Sequence, residues 1–236
     1  MIYYSPVTGD PPLAAIDYAP RTCFLMTWLG HPTETFRTLR NQVEAQVREN
    51  GFRCMDAGST VTGRDFLEKI WTLILRVPVG IALVDKSFST STVANIFYEL
   101  GMMQAYGKET LVIKTPGTNV PSDFVRTEYV EFDQHFSQNL AKFFHHLRDL
   151  ASHFAKMAHQ LEKNPFLAID YLRRAYLLTA DEQFRQQANR IFNETQLGSR
   201  RAKNSAEFLF ADFCLRAEGG TRHANPNKGI PFRSRS

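Results

Sequence analysis

Glu99 carries the sharpest chemical suggestion in the chain. It follows Asn95 by four residues, a spacing that sets both side chains on one helix face. Met102 or Met103 and Tyr106 continue that stripe, while Ile96, Phe97 and Leu100 are natural core. A carboxylate held against such a packed surface is partly desolvated. It can then act as a nucleophile or stabilise an oxocarbenium-like centre at a ribose C1′. On spacing alone the same residues also describe an ordinary solvated helix face. Further candidates cluster where strands should end: Thr27 and Trp28, Gly58 and Ser59, Asp85 and Ser87. The Gly58 loop with Gly63 could turn backbone N–H groups toward a phosphate, although the glycines form neither GxGxxG nor a P-loop.

These residues are useful only if the chain brings them together, and its pattern predicts that it does. Five short apolar runs read as strands: 23–29, 52–58, 79–85, 109–115 and 129–132. The run 79–85 is apolar on both faces, as an interior parallel strand should be, and 129–132 alternates like an edge strand. Between them lie helical stretches with apolar residues at three- and four-residue steps. Phe36, Leu39, Val43 and Val47 mark the first, after a Thr33 or Thr35 cap; Phe66, Ile70, Leu73 and Ile74 mark the second. Thr92 to Tyr106 forms the third, and its internal Gly101, which costs about 1 kcal/mol relative to Ala, implies close packing on the sheet. Strand and helix in alternation predict a parallel sheet with helices on both faces. Ligands of such sheets gather beyond the carboxyl ends of the strands, where strand order reverses, which selects Thr27, Gly58, Asp85 and the start of the third helix.

Composition changes after residue 133. Residues 136–162 repeat Leu140, Phe143, Phe144, Leu147, Leu150, Phe154 and Met157 at helical steps, a stripe that is either core or a homo-oligomer seam. Pro165 breaks this helix, and two more amphipathic helices follow, resembling one tetratricopeptide-type hairpin. A single such unit cannot bury its own faces and must pack on something else. The reading divides the chain into an arm (1–21), the α/β domain (22–133), a helical segment (134–197) and a basic tail (198–236). The net charge is +4, with much of the excess late in the chain. Without aromatic interleaving or a groove-reading motif, that tail reads as a solvated terminus more than a nucleic-acid interface.

Several chemistries fail on residue grounds. Cys23, Cys54 and Cys214 are odd in number and lack CxxC spacing, which fits a reducing cytoplasm and no metal site. His145, His146, His153 and His159 lie on the long helix, with no carboxylate or Cys expected at ligand spacing. Ser59, Ser87 and Ser89 have no His–Asp arrangement that would make a triad. No apolar run reaches transmembrane length, and the N-terminus lacks a secretory pattern, so a cytoplasmic protein without a membrane partner is expected.

The stretch ALVDKSFSTSTVANIFYELGMMQAYGKETLVIK, with VPSDFVRTEYVEF downstream, resembles bacterial TIR-like nucleotide-binding domains, relatives of the nucleoside 2-deoxyribosyltransferases. The likeness covers about residues 22–133 and is most specific at NIFYELG. It implies a flavodoxin-like α/β fold and attack on the N-glycosidic bond of a nucleotide such as NAD⁺, or of a nucleoside. Glu99 would be the catalytic carboxylate and Asp85 would line the sugar pocket, with NAD⁺ as substrate rather than cofactor. The loop holding Trp28 does not match the deoxyribosyltransferases' sugar-binding pattern, and Lys86–Thr92 supplies no second carboxylate of the kind they use. Three readings follow: an NAD⁺ nucleosidase of bacterial defence or signalling, a nucleoside transferase or hydrolase, and a non-catalytic nucleotide-sensing or docking module.

Overall fold

The computed structural model describes residues 4–6, 8–10, 16–30, 33–58, 66–120, 129–161, 163–195 and 213–214. Ser59, the Gly63 turn, the Pro121–Asp123 loop and all of the tail except Phe213 and Cys214 lie outside the described residues.

Five strands form one parallel sheet in the order β2-β1-β3-β4-β5: β1 (Thr22–Met26), β2 (Arg53–Asp56), β3 (Val79–Val84), β4 (Glu109–Lys114) and β5 (Tyr129–Glu131). This is the flavodoxin-like order, with its reversal between β1 and β3. β3 is buried at every position and lies between β1 and β4, whereas β5 closes an edge. Both roles agree with the sequence pattern. β1 is shorter than the apolar run predicts, because the chain leaves the sheet after Met26 and Thr27 to Leu29 lie beyond the strand.

Period-two alternation sorts the strand side chains between two cores. Leu25, Ile81, Leu83, Leu111 and Ile113 face α1 (Glu34–Glu49) and α4 (Phe136–Gln160), meeting Phe36, Leu39 and Val43 from the first and Leu140, Phe144 and Leu147 from the second. Phe24, Met26, Ala82, Val84 and Val112 face α2 (Phe66–Arg76) and α3 (Thr90–Ala105), meeting Ile70, Leu73 and Ile74 from α2 and Ile96, Leu100 and Met103 from α3. The Phe-rich stripe of α4 is therefore core. The core of the α/β layer continues across residue 134, so α4 is its fourth covering helix.

Local signals explain the helix ends. Thr33 caps α1 by accepting from the Phe36 N–H at 3.3 Å, and Ser89 caps α3 through the Thr92 N–H at 3.2 Å. The Ser89 cap starts α3 two residues earlier than the apolar pattern suggests.

α5 (Pro165–Thr179) packs on α4, and α6 (Glu182–Glu194) packs on α5. A third core joins Ala158, Ile169, Leu172, Tyr176 and Ala188 to Phe213, which is fully buried. Tyr18 meets the Phe213 ring edge-on at 6.3 Å, so segments from both ends of the chain cover the helical hairpin. Among the described residues no helix is long and apolar enough to cross a membrane.

Gly101 corrects one expectation. A Cβ there would meet nothing within 4 Å, so the residue is not required for close packing. The close approach falls at Gly80 on β3, where a Cβ would lie 2.8 Å from the terminal methyls of Met103 and Met26.

Candidate functional site

Four strand ends build the carboxyl edge of the sheet. At the end of β2, Asp56 pairs with Arg40 at 2.5 Å, Arg40 also holds Glu44 at 2.8 Å, and Lys69 Nζ donates to the Ala57 carbonyl. Gly58 is exposed, and a Cβ on it would lie 3.3 Å from Leu29.

Beyond β1, the Thr27 hydroxyl is buried and has no hydrogen-bond partner among the described residues. An orphaned buried hydroxyl is costly, which makes Thr27 a candidate for a ligand contact at this end of the sheet. Trp28 is half-buried and packs edge-to-face on Phe88 at 5.5 Å; Phe88 in turn packs on Phe36 at 4.8 Å. Gly30 is needed beside it, since a Cβ there would stand 2.4 Å from the Trp28 indole.

Asp85 ends β3 and is buried. Its Oδ1 accepts from the Ser87 N–H at 2.9 Å and from the Ser87 hydroxyl, and its Oδ2 accepts from Thr115 Oγ1 at 2.6 Å. Burial pushes this carboxyl up, but the Ser87 and Thr115 hydrogen bonds, with Lys86 nearby, outweigh it and hold the group below the ordinary range. Asp85 thus shapes the turn into α3 and ties β3 to the end of β4. Thr115, which no sequence pattern singled out, is its partner, and Thr118 continues the chain at 2.9 Å.

Glu99 lies lower than expected. It is the tenth residue of α3, about 13 Å along the axis from Thr90 at 1.5 Å per residue, and therefore not at the mouth itself. Its neighbour on the stripe, Asn95, is exposed, whereas Met102 and Met103 are buried. At the lower end of the stripe Tyr106, two turns below Glu99, accepts from Trp71 Nε1 of α2 at 3.0 Å. Burial alone pushes the Glu99 carboxyl up to about 7, and no neighbouring charge contributes. Among the described residues it has no hydrogen-bond or ion-pair partner. A half-buried, unpaired carboxylate is costly to keep, and such groups concentrate at functional sites.

The structure thus brings Thr27, Trp28, Gly58, Asp85 and Ser87 to one end of the sheet, with Asn95 and Glu99 on the helix below. No protein-family model, curated protein or solved structure matches this chain.

The remaining sequence candidates resolve simply. His145 pairs with Asp149 at 3.0 Å across one helical turn, correcting the expectation that no carboxylate stood at that spacing. Both are well exposed, and among the described residues no three potential ligands converge on a metal position. Ser89 is a helix cap. Cys23 and Cys54 are aligned across β1 and β2, and burial raises both thiols, Cys54 to about 12.

Proposed function

We propose that this chain is a TIR-like nucleotide N-glycosidase that cleaves the nicotinamide–ribose bond of NAD⁺, with Glu99 as its catalytic carboxylate. The observation that carries the reading is Glu99 itself, desolvated and unpaired on a helix of a flavodoxin-like sheet. The NIFYELG run gives that carboxylate its family context.

The leaving group decides between substrates. A purine or pyrimidine departs as an anion unless something protonates it, and a general acid near the carboxylate is the usual device. Glu99 feels no second carboxylate, its shift having burial as the one cause. Nicotinamide needs no such acid, because in NAD⁺ its ring nitrogen is already cationic and leaves neutral when the C1′–N bond breaks. The bond's electron pair goes to nicotinamide, the ionised Glu99 stabilises the positive C1′, and water adds to give ADP-ribose and a proton. The cationic ring would also favour the ionised form of Glu99 on binding. Thr27 Oγ1 is the natural donor to a substrate oxygen, and Asp85 acts by fixing the loop that carries Ser87.

The test is product analysis by mass spectrometry after incubation of the full chain with NAD⁺ at pH 8, dilute and at concentrations that favour assembly. Nicotinamide and ADP-ribose should form, and Glu99→Gln should lower the rate at least a hundredfold. Equal release by both proteins, or by neither in either state, rejects the reading. Base exchange between deoxynucleosides without NAD⁺ cleavage would replace it with a transferase.

A further inference from the structure

One face of α3 holds three side chains that the rest of the described chain leaves unused. Asn95 is a surface neighbour of both Tyr98 (i+3) and Glu99 (i+4), with Cβ atoms about 5–6 Å apart. Tyr98 and Glu99 flank it one turn below, on either side. Asn95 is exposed, Tyr98 is 51% exposed and Glu99 is half-buried, so the group grades from rim to floor. Among the described residues none of these three side chains makes a hydrogen bond, an ion pair or a ring contact. Tyr106, two turns beyond Glu99, is by contrast tied to Trp71 and to the Tyr4 carbonyl.

The helix itself leaves the Tyr98 ring uncovered. Ala94, one turn before it, carries a methyl group, and Gly101, one turn after it, carries no side chain; a Cβ there would meet nothing within 4 Å. An open phenol face attracts a flat cation. The Asn95 amide both donates and accepts, so its complement is another carboxamide, paired head to tail. Glu99 supplies an anion beside both. One flat group satisfies all three at once: a pyridinium ring bearing a carboxamide, with its face on Tyr98, its amide on Asn95 and the carbon bonded to its nitrogen at Glu99. Close relatives of that group fit worse. A carboxylate in place of the amide offers two acceptors and no donor, so it forfeits half of the Asn95 pair and is repelled by Glu99. A reduced, neutral ring loses its attraction to both the Tyr98 face and the Glu99 charge.

We propose that Asn95 and Tyr98 form the leaving-group subsite of Glu99, specific for a cationic pyridine that bears a carboxamide. The inference rests on the reading of Glu99 given above and adds a choice among pyridine nucleotides. The oxidised amide form is accepted, and the nicotinic-acid and reduced forms are refused. Asn95 sets the orientation of the ring and Tyr98 holds its charge, while neither exchanges a proton in the reaction. Both are therefore specificity residues, and Glu99 remains the group at the reacting carbon.

Two probes without a glycosidic bond separate this subsite from the chemistry. 1-Methylnicotinamide is a cation carrying the carboxamide, and 1-methylnicotinate is its carboxylate counterpart. Each is titrated into the full chain at pH 8 and followed by ligand-observed NMR. 1-Methylnicotinamide should bind saturably, and 1-methylnicotinate at least tenfold more weakly. Asn95→Ala should bring the two within about threefold of each other. Tyr98→Leu should weaken 1-methylnicotinamide about fivefold, and Tyr98→Phe should recover most of that loss. Both positions are exposed, so the variants keep the fold. If 1-methylnicotinamide binds in this way and NAD⁺ is not cleaved, the subsite stands and the hydrolase reading falls. If NAD⁺ is cleaved through Glu99 but the two probes bind alike, the subsite falls and the hydrolase reading stands. Binding that Asn95→Ala and Tyr98→Leu leave intact overturns the subsite, and so does the absence of saturable binding with both probes.

Discussion

Thr115 Oγ1 donates to Asp85 Oδ2 at 2.6 Å and so fastens the end of β4 to the turn that launches α3. With Ser87 on the other oxygen, the Asp85 carboxylate is satisfied from two directions. Removing one partner from such a buried network leaves the other unsatisfied. Asp85→Asn and Thr115→Val should each cost about 1–3 kcal/mol in denaturant unfolding. Because the folded carboxyl sits below its unfolded value, the stabilisation is full above the ordinary carboxylate pKa and fades as pH falls through the folded one. Wild type and Asp85→Asn should therefore differ most at neutral pH and converge below about pH 4. A constant gap down to pH 2 would show that the charge on Asp85 is not what stabilises the turn.

Glu99 behaves in the opposite sense. Its folded carboxyl titrates near 7, above the unfolded value, so the native state holds the extra proton between about pH 4.5 and 7. Stability then falls as pH rises through that window, and the burial cost of the anion is complete above it. Glu99→Gln carries no such cost and should be more stable than wild type at pH 8 by about 1 kcal/mol. The two should match near pH 4. If the proposed chemistry is right, NAD⁺ cleavage at low substrate rises with pH through about 7 and then levels. A rate independent of pH between 5 and 9 would exclude a free-enzyme carboxylate with this titration.

Two glycines separate a packing requirement from a conformational accident. Gly101 has open space around the position of a Cβ and sits inside α3, so Gly101→Ala should gain about 0.5–1 kcal/mol in helix propensity. Gly80→Ala pushes on the Met103 and Met26 side chains at 2.8 Å. Methionine ends can yield, but Met103 Cγ at 3.1 Å resists, so a loss of about 1–3 kcal/mol is expected. Thermal unfolding of the pair should move the midpoint in opposite directions; movement in the same direction would show that α3 does not rest on β3 as described.

Much of this architecture was legible because it is local. The apolar runs, the Thr33 cap and the break at Pro165 set the elements to within a few residues, and their alternation set the parallel sheet. Strand-end positions for Thr27, Gly58 and Asp85 followed from the same reasoning. What escaped depends on neighbours distant in sequence. Gly101 looked like a packing glycine because propensity flags its cost, whereas only the distance from β3 shows that Gly80 has that role. Asp170 and Arg173 sit at helical spacing that describes a solvated ion pair, yet both are buried and Arg173 donates to Tyr18 Oη, 155 residues away. The desolvation of Glu99 was equally hidden, because spacing along α3 does not say how deeply a side chain on it is covered.

That desolvation can be tested directly. Trp71 Nε1 donates to Tyr106 Oη, which donates in turn to the Tyr4 carbonyl at 2.5 Å, joining α2, α3 and the N-terminal arm. Tyr106→Phe removes the acceptor while leaving the ring, so the Trp71 N–H loses this partner in a largely buried setting. A cost of about 1–2 kcal/mol is expected. Glu99 lies on α3 two turns before Tyr106, and burial is what raises its carboxyl. Loosening that contact admits water, so the Glu99 titration followed by carboxyl NMR should shift down from about 7 toward the ordinary Glu range. In the proposed reaction NAD⁺ cleavage should keep its KM and lose kcat, since the carboxyl ends of the strands are untouched. A Tyr106→Phe protein that is destabilised while its Glu99 titration stays near 7 would show that the burial of the carboxylate comes from another source.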